Sequence, residues 1–155
     1  MRLVLYQPDI PGNVGAAIRA AACFGTGLEI VEPCGFPLSE KRLQAEVARA
    51  AMDYGALAPA AMHAGWAAFL ASPARAEGRL VLLTTGGETP LYDFHFQESD
   101  LVMVGRESAG VPDEVRASAD ARLFIPMAPG ARSLNMAVAA AVALSEARRQ
   151  VGWLD

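Results

Sequence analysis

Residues 80–105 read LVLLTTGGETPLYDFHFQESDLVMVG, and this stretch decides the fold. It begins with LVLLTT (80–85) and ends with LVMVG (101–105), and neither run alternates apolar with polar residues. A strand that is apolar on both sides is buried on both sides, which marks a parallel sheet covered by helices. Working outward, RLVLY (2–6), LEIVEP (28–33) and ARLFIP (121–126) read as further strands. Between them lie helical stretches. VGAAIRAAACFG ends at Gly25 or Gly27, with Asn13 placed as its cap, and SEKRLQAEVARAAMDY (39–54) starts on a Ser39 cap signal. HAGWAAFLAS stops before Pro73, VPDEVRAS makes one or two turns, and 135–151 is the longest helix. Strands and helices alternate throughout, so the expected class is α/β: one parallel sheet with helices on both faces.

The chain has 155 residues, enough for one domain and too few for two ordinary ones, so 1–155 reads as a single unit. An apolar fraction of 53% against 19% charged residues excludes intrinsic disorder. With a mean hydropathy of +0.24, the chain hides more surface than a monomer can. The stretch MAVAAAVALS (136–145) carries no charge on any face, and VGAAIRAAACF shows the same excess. One side of each helix covers the sheet and another stays apolar and exposed, which predicts a homodimer. No apolar run reaches the roughly 18 residues of a membrane span, and no signal-peptide pattern is visible, so no membrane partner is expected. Cys23 and Cys34, the two cysteines, make no CxxC spacing, which fits a reducing cytoplasm and near-core thiols. Trp66 and Trp153 read as packing anchors.

Thirteen basic residues against 17 acidic ones give a net charge of −4. A protein that coats nucleic acid by bulk charge is basic, so RNA contact here requires a local basic patch. Every basic residue but Lys41 is an arginine, which meets phosphate with a planar fork. Several nucleotide signatures are missing. No GxGxxG follows the first strand, no Walker loop is present, and there is no GxSxG elbow. His63, His95, Cys23 and Cys34 have no ligand spacing, so no metal is expected. Pattern alone gives a small α/β domain with a ligand at Gly-rich loops.

Three stretches carry a resemblance: LVLYQPDIPGNVGAAIRAAACFG, LVMVGRESAGVP and IPMAPGARSLNMAVAAAVALSEARRQVGW. In this order they resemble the SPOUT class of RNA methyltransferases, and most closely the subfamily that 2′-O-methylates the wobble nucleotide of tRNA. The likeness runs along the whole chain and includes EPCGFPLSEKRL and LTTGG. It implies a C-terminal trefoil knot, an exception to the rule that chains do not thread loops. It also implies S-adenosylmethionine as cofactor, lying against Leu83, Gly105, Ile125 and Ser133. There Gly105 would admit a flat purine, and Leu83 and Ile125 would give apolar walls.

The resemblance assigns catalysis to Arg19, whose guanidinium is better suited to holding a phosphate and a developing alkoxide than to acting as a base. It makes Glu107 the loop carboxylate, which accepts bonds from backbone amides or a ribose hydroxyl. Ser133 and Asn135 precede the last helix, so one caps it while the other faces substrate. Arg19, Lys41, Arg42 and Arg106 are the expected RNA contacts, with an anticodon stem-loop as the partner. Relatives carry a basic residue at the place of Ala109 and Pro or Ser at the place of Arg106, so a charge has moved along the loop or a phosphate contact is lost. The segment beginning at Lys41 is also longer and less basic than in relatives. Two other readings stand beside this one. A non-catalytic RNA-binding module of the same fold would bind tRNA without methyl transfer, and a metabolic enzyme on a small nucleotide would not need RNA.

Overall fold

The computed structural model describes residues 1–37, 45, 48, 49, 52 and 60–153. Its strands are β1 (Arg2–Tyr6), β2 (Gly27–Val31), β3 (Ala60–His63), β4 (Leu80–Leu83), β5 (Thr89–Pro90), β6 (Leu101–Val104) and β7 (Ala121–Phe124). The helices are α1 (Pro11–Cys23), α2 (Trp66–Leu70), α3 (Pro73–Glu77), α4 (Asp113–Ala117) and α5 (Met136–Val151). The strands form one seven-stranded sheet in the order β3-β2-β1-β6-β4-β7-β5, and every pairing is parallel. Side chains alternate across each strand. Leu3, Leu5, Val81, Leu83, Val102 and Val104 therefore join one core layer, with Ala17, Ala21, Ala140, Ala143, Leu144 and Ala147 of α1 and α5. Val4, Tyr6, Leu80, Leu82, Leu101 and Met103 enter the layer on the opposite face, with Phe69 of α2 and Val115 of α4. The α/β class with both faces covered is thus the observed architecture.

Several details depart from the sequence reading. Helix α1 starts at Pro11, with Ile10 as its N-cap and no side-chain capping bond. Proline is favoured at the first helical position because its missing N–H would have had no partner there anyway. Asn13 therefore lies inside the first turn and is not the cap. At the other end, Gly25 takes a φ of +57°, the left-handed conformation that closes a helix. Strand β3 and helix α3 were not expected; β3 is only four residues, AAMH, with no β-branched or aromatic side chain, so it gave little strand signal. Cys23 is exposed, although Cys34 does pack against the core. Trp66 stacks on Phe69 and meets Tyr6 edge-on, as an anchor should. Trp153 packs its ring on Phe24 with centroids 6.0 Å apart, yet stays 61% exposed. The expected helix over 39–54 and the expected contacts Lys41 and Arg42 fall outside the described residues, apart from 45, 48, 49 and 52.

The amino ends of the strands are closed by ion pairs. Arg79 Nε and Nη2 donate to both oxygens of Asp100, which is fully buried, and Asp100 also accepts from Gln97 N. Asp120 accepts from Leu80 N at 2.7 Å and pairs with Arg75 at 3.1 Å. Midway along β2, buried Glu29 is held between Arg2 at the start of β1 and His63 at the end of β3. The carboxyl ends are different: there the loops stand apart and leave a cavity.

Candidate active site

Ligands of open parallel sheets bind beyond the carboxyl ends of the strands. Here a cavity of about 430 Å³ opens at the ends of β4, β6 and β7, within the size range of small-molecule sites. Leu83, Gly105, Ile125 and Ser133, expected around the cofactor, all line it, and so do Arg106, Glu107 and Asn135. Leu83 and Ile125 end or follow buried strands and supply apolar walls; Ile10, Met127 and Leu134 add to them. A flat purine needs apolar walls with a few polar groups, and this lining has that character.

The loop after β6 is shaped by backbone contacts. Arg106 N donates to Gly110 O at 3.0 Å and Gly110 N returns a bond to Arg106 O at 2.9 Å, which folds 106–110 into a tight turn. Gly110 takes a φ of +64°. A Cβ on Gly105 would stand 2.6 Å from the Gly110 carbonyl carbon. The glycine at 105 is thus required by closure of its own loop, a reason the sequence reading did not contain.

One hydrogen-bond chain ties three loops around the cavity. Glu107 Oε2 accepts from Asp9 N at 2.7 Å and Glu107 Oε1 accepts from Asn13 Nδ2 at 2.8 Å. Asn13 Oδ1 in turn accepts from Asn135 Nδ2 at 2.9 Å. Asn135 Oδ1 caps α5 by accepting from Ala137 N and Val138 N. Asp9 clamps the turn by accepting from Ser108 N and Oγ, and these bonds hold its carboxyl below the usual carboxylate range. Of the pair before the last helix, Asn135 is therefore the cap, while Ser133 lines the cavity. Both oxygens of Glu107 are occupied, so it orients neighbours and is not an idle base. Asn13 and Asp9 belong to the site and were missed. The only sequence signal for them was their place in the loop after the first strand.

Arg106 is drawn back toward the body of the protein. Its Nη2 donates to Gln7 Oε1, and its Nε is buried with no hydrogen-bond partner. A buried donor left unpaired costs about 1–3 kcal/mol. Arg106 is half-buried, whereas Ala109 on the same turn is exposed. Arg19 lies on the exposed face of α1 and does not line this cavity. Among the described residues no group of three or more His, Cys, Asp or Glu side chains could hold a metal ion. Nor is any helix among them long and apolar enough to cross a membrane.

Beside the cavity, α1 and α5 enclose an apolar groove. Ala16, Ala20, Ala141 and Val142 form its floor. Tyr92, Val138 and Trp153 flank it, 56%, 49% and 61% exposed.

Comparisons with known proteins point the same way. The family model described as the SpoU rRNA Methylase family matches residues 1–145. A tRNA (cytidine(34)-2′-O)-methyltransferase of Beijerinckia indica subsp. indica is 50% identical over 98% of this chain and 92% of its own length. One with the same name from Ancylobacter novellus is 52% identical over 98% of this chain and 94% of its own. A solved structure concerned with 2-OH methylation of C/U34 on tRNA superposes with a TM-score of 0.86 at 43% identity, covering 96% of this chain and 94% of that one. The SpoU methyltransferase AviRb from Streptomyces viridochromogenes, solved in complex with AdoMet, gives a TM-score of 0.85 at 29% identity. That match covers 97% of this chain and 60% of the other.

Proposed function

Because this chain belongs to the SpoU rRNA Methylase family, we propose that its cavity serves methyl transfer from S-adenosylmethionine to the ribose 2′-hydroxyl of the tRNA wobble nucleotide. The single observation that carries this reading is the meeting of Leu83, Gly105, Ile125 and Ser133 with Glu107 and Asn135 around one cavity. Leu83 ends β4, Gly105 and Glu107 follow β6, and Ile125, Ser133 and Asn135 lie between β7 and α5, so residues distant in sequence meet at one opening.

When bound, the cofactor supplies a methyl group on a positively charged sulfur, so its leaving group is neutral and the chemistry needs no Lewis acid. The protein's part is alignment and charge control. Leu83 and Ile125 hold the purine between apolar surfaces. The turn 106–110, clamped by Asp9 and braced by Glu107 on Asn13, fixes the wall against which the cofactor and the ribose meet. Ser133, next to the α5 cap, offers a hydroxyl toward the reacting ribose.

Arg19 enters through a homodimer. A second copy laid across the α1–α5 groove covers Tyr92, Val138 and Trp153 and buries the apolar excess of both helices. On this reading Arg19, on the α1 that borders the groove, serves the joint RNA-binding surface with Lys41 and Arg42, holding the target phosphate and the developing 2′-alkoxide. The knot made by the C-terminal segment, the absence of a resident metal, a single domain over 1–155 and a cytoplasmic setting complete the proposal.

The test is transfer of a labelled methyl group from S-adenosylmethionine into bulk tRNA, with cofactor binding measured by calorimetry. Transfer together with cofactor binding is expected. Binding of tRNA without transfer would favour the non-catalytic module. Failure to bind the cofactor at all would overturn the reading.

A further inference from the structure

Among the described residues Arg106 is a cation that no carboxylate contacts directly; Asp9 acts on it only through space. Among the described residues its guanidinium forms no salt bridge, and its Nε has no hydrogen-bond partner. The carboxylate next to it in sequence, Glu107, is already engaged by Asp9 N and Asn13 Nδ2. Among the described residues the group that holds its side chain is neutral: Gln7 Oε1 accepts from Nη2. Gln7 is itself firmly fixed. Its N donates to Val31 O at 2.9 Å and its Nε2 donates to Glu32 O at 3.3 Å. It also carries a φ of +46°, which a residue with a Cβ rarely adopts. Strained backbone of this kind persists where the surroundings over-determine it, and it gathers at functional sites.

We propose that Arg106 receives an RNA phosphate at the cavity, and that Gln7 is the positioning residue that holds it ready. The inference rests on the tRNA reading above. Backbone bonds at both ends of the turn pin the Cα of Arg106, so only its side chain is free to turn. Ser108, Ala109 and Gly110 face solvent, which gives RNA an approach along this turn. A phosphate offers the charge and the acceptors that the guanidinium lacks in the free protein, and its oxygens match the planar fork. Gln7 suits the holding role because a neutral amide restrains the side chain without neutralising it. A carboxylate at position 7 would form an ion pair that the phosphate would have to break.

The experiment measures tRNA affinity against salt, methyl-transfer kinetics and cofactor affinity by calorimetry for Arg106→Ala, Arg106→Lys, Gln7→Leu and the unaltered chain. Arg106→Ala should weaken tRNA binding about tenfold to a hundredfold, the scale of a lost charged hydrogen bond. It should also lower the salt slope by about one, as loss of one phosphate contact requires. Arg106→Lys should keep the slope and bind weakly, because the charge remains and the fork is gone. Gln7→Leu should raise KM for tRNA several-fold with the slope kept. Cofactor affinity should be unchanged in all three. An unchanged slope and affinity in Arg106→Ala would overturn the proposal while leaving methyl transfer by the unaltered chain in place. Loss of cofactor affinity with tRNA binding intact would also overturn it, by assigning the arginine to the cofactor's carboxylate. An unaltered chain that neither binds nor methylates tRNA would overturn the functional reading and this proposal together.

Discussion

Both ends of the sheet carry charged side chains, and they differ in how that charge is satisfied. At the amino ends, the carboxylates Asp100 and Asp120 face their complements. Asp100 takes two bonds from Arg79 and one from Gln97 N, and Asp120 takes Leu80 N and Arg75. At the carboxyl ends, the polar chain from Asp9 to Asn135 runs along a cavity wall, and Arg106 is left with a donor unpaired. Buried polar groups that satisfy one another hold a fold together; groups that keep capacity in reserve next to a cavity are suited to a ligand. Polarity by itself does not distinguish the two roles.

The comparison breaks first at Arg19. If it steadies the 2′-oxygen as charge develops, Arg19→Ala should slow single-turnover methyl transfer by roughly two to three orders of magnitude with cofactor affinity nearly unchanged. Arg19→Lys should also be poor. Near-normal rates would remove Arg19 from the chemistry.

Glu107→Gln comes next, because one amide cannot accept from both Asp9 N and Asn13 Nδ2. A loss of about tenfold to a hundredfold in transfer rate is expected, the worth of one or two charged hydrogen bonds, with the melting temperature little changed. Asp100→Ala reverses this pattern at the opposite end of the sheet. It should cost about 2–3 kcal/mol in chemical denaturation, less than a fully buried pair because Arg79 is 37% exposed. Activity per folded molecule should hold. If Asp100→Ala abolished transfer while the fold survived, the division between the two ends would be wrong.

The smallest effect concerns pH. Glu146 Oε2 and Oε1 accept from Arg149, and Oε1 from Gln150, which holds the carboxyl at about 2. A depressed folded-state pKa contributes stability above the unfolded value of about 4.3, and that contribution fades as pH falls toward 2. Glu146→Gln should therefore be slightly less stable near neutral pH, and the difference should shrink through the acid range. Equal melting curves at neutral pH would show that this surface pair contributes nothing.

What the sequence made legible follows from periodicity and local chemistry. The apolar runs at 80–83 and 101–104 gave the parallel sheet, and Ser133 and Asn135 before an Ala-rich run gave two candidate caps of α5, between which the structure chooses Asn135. Leu83, Gly105, Ile125 and Ser133 were placed by likeness to a family, and the structure gathers them around one cavity. The links between loops were not legible. Asn13 reaches Glu107 across 94 positions and Arg106 reaches Gln7 across 99, and no local pattern records contacts at that range. Strand β3 was invisible for the opposite reason: Ala60–His63 is short and mixed, and it is a strand because Leu28–Val31 offers it an edge.

The most direct test of the central claim is to methylate unmodified tRNA with the purified protein and map the product by mass spectrometry of nuclease fragments. The account predicts one added methyl group on the ribose 2′-oxygen of the wobble nucleotide. A methyl group on a base, on another nucleotide, or none at all with the cofactor bound would contradict it.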